Sequence, residues 1–252
     1  MQASDSLISI ITPAYKAEPF IAEAIRSVQA QDHQNWEMLI VDDGSPDNTA
    51  DMVAGFAEAD PRVGLIRQKN SGPAMARQRA LEAAKGRYVA FLDADDYWLP
   101  GKLSRQLAFM REHEAAVSFT RFRRISFDGR KQGHLIAIPK RLSYRQLLRN
   151  TAIATSTAMV DRELTGPFSM KKTYYDDYAL WLDLLKRGFV ARGLQEDLMR
   201  YRVVGKSVSR NKGKSARMVW STYREVEGLG AVHAGWCFAN YAVRAFLKYR
   251  YF

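Results

Sequence analysis

Through the first half of the chain, short apolar runs alternate with segments in which apolar residues return every three or four positions. LISIIT (7–12), WEMLIVDD (36–43), VGLIRQ (63–68) and YVAFLD (88–93) read as strands, and the spacing between them predicts helices near 18–30, 48–59, 73–84 and 100–112. Strands alternating with helices argue for an α/β fold, a parallel sheet wrapped by crossover helices. After about Ala115 the pattern changes. AVSFTRFRRISFDGRKQGHLIAIP holds two strand-like runs around Asp128-Gly129 and predicts a hairpin. A helix near 143–149 and an apolar stretch at 153–160 follow, and then YYDDYALWLDLLKRG (174–188), an amphipathic helix that Gly188 ends as a C-cap glycine does.

Ligands of such sheets bind beyond the carboxyl ends of the strands, and this chain puts its acids there. Asp42 and Asp43 end the second strand; Asp93, Asp95 and Asp96 end the fourth. Carboxylates this close repel one another, so at least one resists ionising unless a cation lies between them. A hard divalent ion, Mg²⁺ or Mn²⁺, takes such oxygen ligands together with substrate phosphates. An acidic turn capping the next helix is the alternative that these residues alone leave open.

Composition narrows the picture. The single cysteine, Cys237, allows no internal disulfide, and with four scattered histidines it gives no Cys/His zinc site, which fits a reducing compartment. No basic n-region precedes an apolar core at the start and no apolar run reaches transmembrane length, so the expected location is cytoplasmic. The net charge of +11 is concentrated late: from Met199 onward eleven basic residues face only Glu225 and Glu227. That concentration points to an anionic partner: phosphates, nucleic acid or the inner leaflet of a membrane. GKSVSRNKGKSAR (205–217) has the make-up of a mobile basic loop or lid.

The first strand is followed by TPAYKAE rather than GxGxxG, and no GxxxxGK[ST] occurs, which argues against dinucleotide-binding and P-loop sites. In a phosphatase of the haloacid dehalogenase type Thr or Val would stand where Tyr97 does. ITPAYKAE, VDDGSPDNT, NSGPAMARQRALEAAKGRYVAFLDADD and YYDDYALWLDLLKRG, in this order, form a set that resembles the family 2 glycosyltransferases of the GT-A fold, over roughly residues 7–205. The resemblance implies a GT-A nucleotide-diphospho-sugar transferase fold, a mostly parallel sheet with flanking helices and a helical, basic C-terminal extension. It divides the chain into a domain at 1–205, with a nucleotide-binding half (1–115) and an acceptor-binding half (116–205), and an extension at 206–252.

The resemblance also implies roles. Thr12, Pro13 and Tyr15 match the loop along the nucleotide, Asp43 the acid that reads a uracil or thymine imide, Arg77 an arginine near the diphosphate, and Asp93 the ribose-contacting acid. Asp95 matches the metal ligand, for Mn²⁺ or Mg²⁺, and Asp177 the general base. Arg202, Lys206 and Ser207 match a segment that contacts the diphosphate or closes as a lid. Lys16 and Gln78 stand where the family often has Asn, and Asp176-Asp177 replaces Glu-Asp.

The expected reaction is inverting transfer from a nucleotide-diphosphate sugar, UDP-linked, to a glycan or lipid-linked glycan acceptor in bacterial surface polysaccharide synthesis. ATSTAMVDRE (154–163) lies where the family's acceptor loop falls. The basic, aromatic-rich segment 231–252 has no acid and fits an anionic inner-leaflet surface, or equally a return onto the domain or a second subunit. Two competing readings are a sugar-phosphate nucleotidyltransferase, which would carry a glycine-rich loop where TPAYKAE stands, and a nucleic-acid-binding module, which leaves the ordered acids unexplained. Nucleic acid is therefore not an expected partner.

Overall fold

The structure is a computed structural model, and it describes residues 6–204 and 212–248. The first half follows the alternating pattern: β1 (Ile8–Ala14), α1 (Ile21–Gln29), β2 (Trp36–Asp42), α2 (Thr49–Ala59), β3 (Val63–Arg67), α3 (Pro73–Ala83) and β4 (Tyr88–Phe91). β2 and β4 flank β1, and β3 lies beyond β2, all parallel. Each helix buries one stripe on this sheet; on α1 it is Ile21, Ala24, Ile25 and Val28, the recurrence of a 3.6-residue turn.

Beyond β4 the sheet becomes mixed. β5 (Tyr97–Trp98) and α4 (Lys102–Glu112) follow, then β6 (Val117–Ile125), β7 (Gln132–Ile136), β8 (Arg141–Leu142), α5 (Tyr144–Leu147), β9 (Met159–Asp161), α6 (Arg162–Thr165), α7 (Asp176–Lys186) and β10 (Ala191–Arg202). The main strand order is β3-β2-β1-β4-β9-β6-β10-β5. β9 is antiparallel to both β4 and β6, so the expected mostly parallel sheet is parallel from β3 to β4 and again between β6 and β10, with an antiparallel middle. β6 and β7 form the expected hairpin. The 153–160 stretch resolves into a short turn (Thr155–Thr157) and the start of β9.

α7 is more enclosed than an amphipathic helix: Tyr178 to Leu182, Leu184 and Leu185 are all buried. Gly188 follows it with φ 100°, the left-handed position expected of a C-cap glycine. The C-terminal segment supplies much of this cover. α8 (Lys212–Ser221), a π-turn (Thr222–Val226) and α9 (Ala231–Lys248) insert Val219, Tyr223, Ala234 and Cys237 into the same core as α5 and α7. Tyr178 and Tyr223 give their hydroxyls to the carbonyls of Leu147 and Leu148 at 2.9 and 2.5 Å. The extension is therefore helical, as expected, and part of the core rather than a tail. Of the segment read as a loop, 205–211 lies outside the described residues and the rest begins α8. Among the described residues no helix is long and apolar enough to cross a membrane.

Candidate active site

The carboxyl ends of β1, β2 and β4 open into a cleft of about 430 Å³ lined by Pro13, Tyr15, Asp43, Arg77, Asp93 and Asp95, among others. Tyr15 stands half-exposed, with Lys16 Nζ 5.4 Å from its ring centroid. Lys16 has φ 54°, a left-handed conformation that Asn adopts more readily than Lys. The Asn common in the family at this position fits that backbone.

Asp43 is buried and held by three donors: Gln68 Nε2 and Ser71 N on Oδ1, and Gly72 N on Oδ2, each at 2.8 Å. Gly72, at φ 92°, turns the chain so that its N–H reaches Asp43 while Pro73 starts α3 at a position where a missing N–H costs nothing. A carboxylate accepts about four hydrogen bonds, so one acceptor direction is left for a ligand.

Arg77 projects from α3 into a nest of acids. Its Nη2 donates to Asp93 at 2.5 Å and its Nη1 to Asp176 at 3.2 Å, with the guanidinium buried. One arginine thus ties the β4 loop to the first turn of α7, and those carboxylates keep its charge fixed.

The acids after β4 are crowded as the sequence requires. Burial, then the charge of Asp93, pushes the Asp95 carboxyl up to about 6. Asp96 is fully enclosed and lies well above the usual carboxylate range, through burial and its two acidic neighbours. Ser156 organises this loop: its Oγ accepts from Asp93 N at 3.0 Å and donates to Asp96 at 2.5 Å, while its carbonyl accepts from Trp98 Nε1 at 2.7 Å.

Asp177 accepts from Thr155 Oγ1 at 2.5 Å and from its neighbour's N–H, Tyr178 N, at 2.7 Å. Burial, then the charge of Asp176, raises its carboxyl to about 6; Arg77 and the two hydrogen bonds oppose that rise without cancelling it. A carboxyl poised there can exchange a proton near neutral pH. α7 holds it firmly, with Trp181 packed edge-on to Phe91 at 5.4 Å.

Two of the expected site residues lie away from the open cleft. Thr12 lies wholly buried beneath the cleft within β1, its Oγ1 without a hydrogen-bond partner, because both faces of that central strand are covered. Arg202 does not face the cleft. Its Nε donates to the Asp95 carbonyl at 3.0 Å, its Nη1 to Phe127 O at 2.8 Å and its Nη2 to Glu23, while its backbone N–H reaches Asp96 at 2.8 Å. It braces the acidic loop from behind. Lys206 and Ser207 lie outside the described residues. Conversely, Thr155 and Ser156, which the sequence marks only as part of the 154–163 stretch where the acceptor loop is expected, hydrogen-bond Asp177 and Asp96 directly.

The family model described as Glycosyl transferase family 2 matches residues 9–167. TuaG of Bacillus subtilis (strain 168), named for a glycosyltransferase of teichuronic acid biosynthesis, is 46% identical over 96% of this chain and 97% of its own. WfgD of Escherichia coli, a UDP-Glc:α-D-GlcNAc-diphosphoundecaprenol β-1,3-glucosyltransferase, is 37% identical over 86% of this chain and 85% of its own. Among solved structures, TarS 1–349 of S. aureus in complex with UDP-GlcNAc superposes with a TM-score of 0.69 at 20% identity, over 95% of this chain and 72% of that one. The mannosyltransferase PcManGT of Pyrobaculum calidifontis, in complex with GDP-Man and Mn²⁺, gives 0.68 at 18% identity, over 97% and 75%. The structural likenesses show a GT-A architecture, and the family match with the curated relatives decides against the nucleotidyltransferase reading. The chain belongs to glycosyltransferase family 2 and is a glycosyltransferase.

Proposed function

We propose that the enzyme transfers a sugar, with inversion, from a UDP-linked donor to a hydroxyl of a lipid-linked glycan in bacterial surface polysaccharide synthesis. The observation that carries this reading is the pairing across Arg77: a donor-side acid, Asp93, and an acceptor-side acid, Asp176, share one buried guanidinium, with the raised carboxyl of Asp177 beside it. Residues 1–115 bind the donor and 116–205 the acceptor. Tyr15 and Pro13 cover the base, the free acceptor direction of Asp43 takes its imide N–H, and Asp93 meets the ribose. Asp177 removes the acceptor proton as that oxygen bonds to the anomeric carbon and the bond to the diphosphate breaks. A direct displacement of this kind converts an α-linked donor into a β-linked product, the linkage in the WfgD name.

The residues present fit a hard divalent cation. Asp95 offers oxygen donors at a point where burial and Asp93 already disfavour uncompensated negative charge. Among the described residues no three acidic, His or Cys side chains converge to hold a metal; Asp95 is the side chain that would hold Mn²⁺ or Mg²⁺ beside a bound donor. When bound there, such an ion would neutralise charge on the departing diphosphate.

The UDP-linked donor and lipid-linked acceptor also follow the names of the relatives, and the protein works as a cytoplasmic enzyme peripheral to the inner face of the cell membrane. A nucleotide-sugar panel with Mn²⁺ and Mg²⁺, read by nucleoside diphosphate release and by the anomeric configuration of the product, tests the reading. A retained configuration, or no release from any UDP-sugar, overturns it.

A further inference from the structure

The last helix presents two unlike faces. Its inner face is in the core: Ala234 and Cys237 are buried, and Phe238 and Tyr241 pack against the same cluster. Its outer face carries Val232, Trp236 and Val243 at 90%, 62% and 60% exposure, with exposed Ala239 between the last two. These positions are spaced 4, 3 and 4, so they form one continuous apolar stripe along α9. Trp220, exposed on α8, stands edge-on to Phe238 at 5.7 Å and adds an aromatic beside the helix. An apolar stripe ending in solvent is unusual in a helix whose other face is already well packed.

The charges choose the occupant. α9 contains no acidic residue, and Arg244 is exposed next to Val243. Arg217 and Arg224, from α8 and the π-turn, are exposed on the same extension. Its two acids are already engaged: Glu225 accepts from Tyr174 Oη at 2.5 Å, and Glu227 accepts from Tyr144 Oη at 2.6 Å and pairs with Lys186 at 3.0 Å. A second copy of this helix would bring only further cations to the seam. An anionic lipid surface supplies the missing counter-charge, takes Val232 and Val243 into its acyl boundary, and seats an indole at headgroup level.

We propose that the outward face of α9, through Val232, Trp236 and Val243 with Arg244, docks the protein on an anionic phospholipid surface. The proposal deepens the reading of a lipid-linked acceptor, because docking here holds the cleft near acceptors confined to that surface.

The test uses the full chain and vesicles of phosphatidylcholine with or without phosphatidylglycerol. Wild type is expected to float with the phosphatidylglycerol vesicles and to be released by salt. Val232→Ser/Trp236→Ser/Val243→Ser should weaken that binding about tenfold or more, and Arg244→Glu should weaken it while leaving the apolar stripe intact. Circular dichroism and transfer to a short water-soluble acceptor should be unchanged in both variants. The proposal is overturned if wild type does not float, if the triple variant floats equally well, or if sedimentation shows that the stripe mediates self-association and vesicles compete with nothing. Vesicle binding that persists while no UDP-sugar supports transfer would instead fault the functional reading and leave the docking face standing.

Discussion

Thr155 donates its hydroxyl to Asp177 at 2.5 Å, a bond between the turn that leads into β9 and the first turn of α7. A hydrogen bond to the charged form favours ionisation, so this contact holds the Asp177 carboxyl below where burial alone would put it. Transfer should therefore rise with pH through about 6 as Asp177 loses its proton. Thr155→Val should move that limb to higher pH. Asp176→Asn removes a neighbouring negative charge and should move it to lower pH. Profiles of kcat/KM against pH check both shifts, and shifts in the same direction would exclude Asp177 as the titrating base.

Asp177→Asn keeps the shape and loses the basicity. Transfer should fall roughly 10²–10⁴-fold, the usual worth of a positioned base, with donor affinity little changed. Asp176→Asn should cost much less, because an amide oxygen can still accept from Arg77. Turnover and nucleotide titration of the two variants side by side decide the register. The same group links to stability. Its folded value of about 6 exceeds the unfolded value of about 3.9. The folded state thus binds more protons between those limits, and this group's contribution to stability is present below about pH 4 and lost as pH rises through about 6. Urea midpoints of wild type should show this slope relative to Asp177→Asn.

Arg77 is the only cation hydrogen-bonded to both Asp93 and Asp176 among the described contacts. Arg77→Met leaves two carboxylates facing each other across a buried gap and should destabilise the fold by about 3–5 kcal/mol. Arg77→Lys keeps the charge but cannot span both acids with one planar group, and should fall between. Denaturant unfolding measures the order wild type, Lys, Met.

Asp95→Asn should abolish the dependence of donor binding on Mn²⁺ or Mg²⁺, since an amide is a poor ligand for a hard cation. Calorimetric titration of UDP-sugar with and without the ion reads this on the inactive variant too. Wild-type transfer that survives EDTA would remove the metal from the reaction.

Lys16→Asn should stabilise the protein by about 0.5–1 kcal/mol, because Lys16 occupies a left-handed conformation that Asn tolerates better. Thermal unfolding checks the sign, and a destabilised variant would show that the Lys16 side chain earns its strain through contacts such as the one over Tyr15.

The strands and helices through Phe91 were legible because each buries a face with its own period, and 63–68 becomes Val63–Arg67 almost unchanged. The acids were legible because they cluster at strand ends. What escaped depends on partners far away in sequence. Nothing around Arg202 distinguishes a cation facing a phosphate from one donating to the carbonyls of Asp95 and Phe127. Lys102, within the helix expected near 100–112, is fully buried, its Nζ 3.6 Å from the Trp98 ring centroid and its basicity depressed by burial. The sheet's antiparallel middle was hidden for the same reason: β9 is three residues long and finds its neighbours about seventy and forty positions earlier.

The pairing of β5 with β10 bears on how the molecule is made. Tyr97 and Trp98 have Arg200 and Met199 as their sheet partners, and Asp96 receives the backbone N–H of Arg202. A chain emerging from the ribosome therefore carries Asp93, Asp95 and Asp96 long before it carries the residues that close their loop. Contacts so distant in sequence form late and slowly. Residues 1–115 produced alone should accordingly be cut by protease within 92–99, where the intact chain resists. Residues 1–115 should therefore not be a folding unit on their own, and a ribosome stalled before Met199 should hold a chain with Asp43, Asp93 and Asp95 already made and no finished cleft.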